Sequence, residues 1–135
     1  MFSFHHTSLS VSNIENSVKF YSVFGFVSVL HWESEDRKLK IEHLKLGITF
    51  LELFCFSNPE PAPASMNFLE KDLQVIGTRH FGLKVKSILQ AKEYLISKNL
   101  ADNIEIIHGK TGIDYFFIKD PDGIFVEVVQ DDRNL

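Results

Sequence analysis

The sequence predicts an α+β fold in which the order βαβββ occurs twice within a single domain, residues 1–135. Three observations carry this expectation. Strand-like and helix-like stretches follow one another in the same order in both halves, and a proline-rich segment separates the halves. A His–Glu pair also recurs at matching places: Glu52 lies 46 residues after His6, Glu127 lies 47 residues after His80, and the second pair repeats the first at an offset of 74 or 75.

The first module runs from about residue 4 to 56. Phe4 to Val11 alternates, with Thr7, Leu9 and Val11 on one side and His6, Ser8 and Ser10 on the other, the period of a two-faced strand. Ser12 followed three places later by Glu15 predicts a capping box that opens a helix. Ile14, Val18, Tyr21 and Phe24 form its apolar stripe, and Gly25 is placed to take the left-handed position after its end. Phe26 to Trp32, Leu39 to Leu46 and Ile48 to Phe56 read as three strands, the first two joined by the charged turn Glu33-Ser34-Glu35-Asp36-Arg37.

Residues 57–78 read as a linker. Its first part, Ser57 to Ser65, holds three of the four prolines, which cannot feed a strand ladder, and Asn67 to Leu73 is expected to add a short helical turn. The second module, about 79–130, then restarts the order. His80 to Val85 is a strand, Ser87 with Gln90 a second capping box, and Ile88, Ala91 and Leu95 an apolar stripe ending near Asn99, a plausible left-handed terminator. Ile104 to His108, Tyr115 to Lys119 and Ile124 to Gln130 complete it as strands, the last two joined by Asp120-Pro121-Asp122-Gly123.

Composition narrows the function. Fourteen basic against 18 acidic residues give a net charge of −4, so no basic field meets a nucleic-acid backbone or an anionic membrane surface. The longest nearly apolar stretch, Ile48 to Phe56, is interrupted by Glu52 and is far short of the roughly 20 residues that span a bilayer. A small-molecule partner is expected. The single cysteine, Cys55, can form no internal disulfide and falls on the strand face opposite Glu52, where packing is its expected role. Met1-Phe2-Ser3-Phe4 lacks the basic start and long apolar run of a secretory signal, and the expected location is cytoplasmic.

His6, Glu52, His80 and Glu127 are the candidate metal ligands. Glu52 sits within Phe50-Leu51-Glu52-Leu53-Phe54 and Glu127 within Phe125-Val126-Glu127-Val128-Val129. A carboxylate central to so apolar a strand costs several kcal/mol if left without a partner, a penalty that a cation removes. His80 stands to Val85 as His6 does to Val11, whereas His5 is expected on the opposite face by strand alternation. Two imidazoles, two carboxylates and waters suit Ni²⁺, Co²⁺, Zn²⁺, Mn²⁺ or Fe²⁺; all-oxygen ligation would be expected for Ca²⁺ or Mg²⁺. Phe50, Phe54 and Phe56 share a strand face with Glu52, and Phe125 shares one with Glu127, so these rings are expected to wall a cavity.

Four pieces in this order and spacing resemble the vicinal oxygen chelate superfamily, specifically its glyoxalase I-like branch. They are His6-Thr-Ser-Leu-Ser-Val11; Ser17-Val-Lys-Phe-Tyr21 with Gly25-Phe26; Arg79-His80-Phe-Gly-Leu-Lys-Val85; and Asp120-Pro-Asp-Gly-Ile-Phe-Val-Glu127. The resemblance implies paired βαβββ modules curved into half-barrels around one metal, with nickel, cobalt or zinc favoured over manganese or iron. It also implies a lyase or isomerase that acts on a small carbonyl or hydroxycarbonyl compound through an enediolate. Glu127 would be the base, with Glu52 the alternative.

In that branch an arginine four residues after the first ligand histidine helps anchor glutathione, and the bacterial enzymes carry an asparagine four residues after the first glutamate. These places hold Ser10 and Phe56 here. Lys84, on the strand face of His80, and Lys110, in Gly109-Lys110-Thr111-Gly112, remain as groups that could meet an anionic substrate. Dioxygenases and thiol transferases of the superfamily use two His and one Glu, which leaves Glu52 unexplained. A metal-free binding module of the bleomycin-sequestering kind would need the apolar groove but not four ligands. The exposed strand edges and apolar faces of such modules lead to the expectation of a homodimer.

Overall fold

The computed structural model describes all residues, 1–135, and divides into two compact units, Met1–Ala62 and Pro63–Leu135. The first unit contains β1 (His6–Ser10), α1 (Ile14–Ser22), β2 (Val27–Glu33), β3 (Leu39–Leu46) and β4 (Thr49–Phe56). Its sheet has the order β1-β4-β3-β2, with β1 parallel to β4 and the other neighbours antiparallel. The first strand thus enters beside the last, and the intervening helix covers one face.

That face is apolar. Leu9, Val11, Leu44, Leu51 and Leu53 are buried together with Ile14, Phe20 and Tyr21 of α1. Burying each large side chain of this kind contributes about 1.5–3 kcal/mol, and Leu51 and Leu53 are the helix-facing residues by which β4 takes part in this layer. The buried stripe of α1 is Ile14, Ser17, Phe20 and Tyr21, where the periodicity predicts Val18 and Phe24; both of these are only half-buried. Ser17 is tolerated inside because its hydroxyl donates back to the Asn13 carbonyl at 3.1 Å.

The N-cap also moves by one residue. Asn13, not Ser12, has the extended backbone of a cap, and its side chain accepts from the Asn16 amide at 2.8 Å. Asparagine caps as well as serine, so the strand's length before the turn decided the position. Gly25 has φ +92°, as the helix-end signal predicts. In β2 the register slips between Ser28 and Leu30, a bulge. Glu42 of β3, on the helix-facing side, is buried because it accepts from the Ser28 hydroxyl and lies 2.7 Å from His31 Nδ1.

The second unit opens with a 3₁₀ turn, residues 64–67, and the single-turn helix α2 (Leu69–Asp72), where a helical turn is expected. It continues with β5 (His80–Lys84), α3 (Ile88–Ser97), β6 (Ile107–His108), β7 (Asp114–Lys119) and β8 (Phe125–Gln130). Sheet order β5-β8-β7-β6, with β5 parallel to β8, repeats the first unit. Ser87 caps α3 by accepting from the Gln90 amide at 3.3 Å, while the Ile88 amide donates to the Gln130 side chain, a tie to β8 that a purely local box would not provide. Asn99 takes φ +55°.

The expected strand from Ile104 to His108 shrinks to the two residues of β6, although Ile104 is buried. A short edge strand presents little open ladder to other chains. The β7–β8 connection is built on Asp120, whose buried carboxylate accepts from the amides of Asp122 and Ile124 at 2.9 and 2.8 Å, with Gly123 at φ +82°. Both units therefore have the βαβββ order, and the fold is α+β.

Candidate functional site

In the first unit the chemistry lies on the sheet face away from α1. Register places Ser8 of β1 and His43 of β3 on either side of Glu52, while His6 pairs with Phe50 and Ser10 with Phe54. His6 Nε2 lies 3.5 Å from Glu52 Oε2, with side-chain exposures of 44% and 22%. From the other side His43 Nε2 lies 3.0 Å from Glu52 Oε1, within hydrogen-bonding distance. The carboxylate is thus partnered at both oxygens, as a half-buried anion in an apolar strand requires.

His5 departs from its expected place. Its ring stacks on Phe50 at 5.0 Å and its Nδ1 lies 2.9 Å from His6 Nδ1, so it joins the Glu52 face. The reason is positional: β1 begins at His6, and alternation governs side chains only inside a ladder. One proton shared between the two nitrogens lets His5 act as donor or acceptor to His6, according to tautomer.

The second unit repeats the pair. Gly82 and Phe117 flank Glu127 in the register, and His80 pairs with Phe125. His80 Nε2 lies 3.3 Å from Glu127 Oε2, with exposures of 28% and 17%. His80 Nδ1 is buried without a hydrogen-bond partner, and the ring meets Phe117 edge-on at 4.9 Å. A buried nitrogen without a partner carries a desolvation cost, so this ring is not held by hydrogen bonding at Nδ1.

Aromatic rings line both pairs. Phe54 stacks with Phe56 at 6.4 Å, and Phe117 contacts Tyr115 at 5.7 Å and Phe125 at 6.1 Å. Phe56, at the end of β4, is exposed, as is Ser10. Cys55 faces the other way, its thiol 3.5 Å from the Ser12 carbonyl. It borders a surface pocket at the start of α1, with Asn13, Arg37 and Lys40, that none of the His–Glu atoms reach.

The basic residues divide. Lys84 is exposed and stands in the register beside Val129, on the face of Glu127. Its charge helps hold the Asp131 carboxyl far below the usual range, an effect due first to the side-chain hydrogen bond from Arg133. Lys110 is exposed in a tight turn closed by the Gly112 amide on the Gly109 carbonyl. Arg79 is committed to structure. Its guanidinium donates through Nε and Nη2 to Asp72 at 3.1 and 3.2 Å, and Asp72, 1% exposed, also accepts from the Ser65 hydroxyl.

No set of three or more His, Cys, Asp or Glu side chains able to hold a metal ion is gathered in either unit; the pair that recurs in both is His6–Glu52 in the first and His80–Glu127 in the second. The spacing within each pair, that of an ordinary ion pair, is also compatible with two donors on a shared ion. Two donors each about 2.1 Å from one ion stand roughly 3.0–3.4 Å apart at octahedral or tetrahedral angles, close to the separations seen here. Nitrogen and carboxylate oxygen together are the donor set of a borderline divalent ion.

Sequence reasoning missed His43, Phe117 and Tyr115. The signal for His43 was present. Gly47-Ile48 is a two-residue connection that pairs Leu46 with Thr49, and counting outward from it brings His43 opposite Glu52.

This fold and its repeated pairs define a class of two-module α+β proteins. Residues 3–128 match the model of the Glyoxalase/Bleomycin resistance protein/Dioxygenase superfamily, and the chain belongs to that superfamily. Among solved structures it is similar to a glyoxalase family protein from Enterococcus faecalis, at 22% identity over 94% of this chain and 96% of that one, with TM-score 0.77. It is similar also to the trypanothione-dependent glyoxalase I of Leishmania major, at 19% identity over 96% and 87%, with TM-score 0.70. A third is a glyoxylase/bleomycin resistance protein/dioxygenase domain from Frankia, at 14% identity over 100% and 95%, with TM-score 0.73. No curated protein sequence matches significantly. No helix is long and apolar enough to cross a membrane.

The Arg79–Asp72 pair yields a direct test of which cations are structural. Arg79→Ala strands a buried carboxylate and is expected to destabilise the protein by about 3 kcal/mol, whereas Lys110→Ala should change stability by less than about 0.5 kcal/mol. Urea denaturation of the two variants measures both, and equal midpoints would show that the Arg79–Asp72 pair does not stabilise the fold.

Proposed function

We propose that the protein is a metal-dependent, glyoxalase I-like lyase or isomerase acting on a small carbonyl or hydroxycarbonyl compound. The observation that carries this reading is the recurrence of one His–Glu pair at the same register positions in both modules: His6 with Glu52 and His80 with Glu127. In this reading the four side chains are ligands of a divalent metal, with nickel, cobalt or zinc favoured. When bound, such an ion supplies Lewis-acid stabilisation of negative charge developing on a carbonyl oxygen.

The chain's own residues do the rest. Glu127 takes the proton from the carbon beside the carbonyl and returns it to the neighbouring carbon, a transfer that needs a carboxylate able to move between ligand and base. His5 orients His6 through their Nδ1 contact, leaving Nε2 directed at Glu52. Phe50, Phe54, Phe117 and Phe125 present apolar surface around the carboxylates, which limits water beside the proton being moved. A binding module of the bleomycin-sequestering kind would use the same rings but has no need of the repeated pairs. We also propose a cytoplasmic protein and, from β2, an edge strand that exposes Val27, Val29, Leu30 and Trp32, a homodimer.

Three measurements check this reading. Protein purified without chelator should carry near-stoichiometric transition metal, and His80→Ala or Glu52→Ala should each weaken nickel or zinc binding by about tenfold or more, with His5→Ala lowering it as well. Metal-free wild-type protein that takes up neither ion would end the enzymatic reading and leave the binding module. Light scattering at micromolar concentration should give twice the 15.5 kDa chain mass, and a monomer would exclude the dimer.

A further measurement concerns the substrate. Ser10 and Phe56 stand where two glutathione anchors are expected, and each charged hydrogen bond of that kind contributes on the order of 1.5–3 kcal/mol. Nickel-, cobalt- or zinc-loaded protein should therefore act on the methylglyoxal–glutathione adduct roughly a hundredfold or more below an ordinary enzyme, while retaining metal-dependent proton exchange on another small α-hydroxycarbonyl compound. Efficiency of about 10⁴ M⁻¹s⁻¹ or above on the adduct would show that Lys84 or Lys110 supplies the anchor.

A further inference from the structure

The two His–Glu pairs look alike, but their cross-strand neighbours differ. His43 stands opposite Glu52 on β3, and at the same place on β7 Phe117 stands opposite Glu127. Phe117 follows His43 by 74 residues, the same offset that separates His6 from His80, so these are equivalent positions of the repeat. We propose that His43 is a positioning residue that holds the Glu52 carboxylate in one orientation, and that Phe117 in its place leaves the Glu127 carboxylate without such a tether.

The geometry argues this at each oxygen. His43 Nε2 reaches Glu52 Oε1 at 3.0 Å, a hydrogen bond, while the longer 3.5 Å contact of His6 involves Oε2. One oxygen is therefore occupied by a donor from the neighbouring strand, and the other is directed at the ligand histidine. Around Glu127 the polar neighbour is His80 alone, at Oε2, and the group opposite is a phenyl ring that can donate nothing.

His43 is itself held in place, since it belongs to the middle of an eight-residue strand and its ring lies 6.4 Å from that of Phe50. A carboxylate tethered by a neighbouring donor keeps its orientation, which suits a permanent ligand. One without a tether can turn away and back, which suits a proton carrier. The inference rests on the proposed metal-dependent reading for that division of labour, but the His43–Glu52 tether stands or falls separately.

Two experiments separate the possibilities. The first uses metal-free protein: His43→Ala, Glu52→Ala and the double variant are unfolded in urea. A tether makes the unfolding constants non-additive by roughly tenfold or more, and additive effects overturn the proposal. The second measures zinc affinity by chelator competition for His43→Phe, which installs the second module's residue, and for His43→Gln, whose amide can still donate to Oε1. Affinity should fall about tenfold in His43→Phe and return to within about threefold of wild type in His43→Gln. Equal affinities in these two variants, or wild-type affinity in His43→Phe, would overturn it. Wild-type protein that binds no divalent metal yet shows the coupling would end the metal-dependent reading and leave the tether established. Since His43→Gln preserves size and polarity, it provides a folded comparison if His43→Phe does not fold.

Discussion

The two-residue period of β4 and β8 is the constraint on which the rest of this structure depends. In β4 it sends Leu51 and Leu53 toward α1 and Glu52 to the other side; in β8 it sends Val126 and Val128 inward and leaves Glu127 on the opposite face. Each strand is thereby anchored by one half of its side chains and made chemical by the other half. A slip of one residue would bury both carboxylates among aliphatic groups and expose the core. The parallel partners β1 and β5 prevent that slip, because their own apolar residues must meet the same buried layer.

Once the register is set, the carboxylates determine what surrounds them. A half-buried anion needs partners, and in both units a histidine from the adjacent parallel strand supplies the first. Neighbouring aromatic rings exclude water without competing for the oxygens. The arrangement is an uneasy one for stability, visible in the unpaired His80 Nδ1.

The two halves share one plan and depart from it at particular positions. Both modules keep the strand order, the helix with its side-chain cap, and the His–Glu pair. They differ at the position across from the glutamate, in the length of the final edge strand, and in the entry to the module. There the second unit has the buried Asp72–Arg79 pair, which ties α2 to the residues just before β5. The differences lie where one copy can change without disturbing the alternation that both share.

Local signals made much of this legible in the chain. The offset of the pairs, the alternation around Leu9, Leu51 and Val126, the glycine after α1 and the Asp-Pro-Asp-Gly turn all act through neighbouring residues, and sequence order reports such effects directly. What depended on residues far apart was not legible in that way. Asn13 took the cap from Ser12 because the ladder of β1 and β4 sets where the helix begins. His5 joined His6 because it precedes the ladder and Phe50 offered it a ring to stack on. Arg79 went to Asp72, while the meeting of His43 with Glu52 was readable only by counting outward from the Gly47-Ile48 turn. The sequence by itself therefore determined the elements, their order and the four candidate ligands, since these follow from period and spacing. Tertiary structure decided which neighbours most of these candidates meet, because a cross-strand partner is chosen by register, and register is settled by the whole sheet at once.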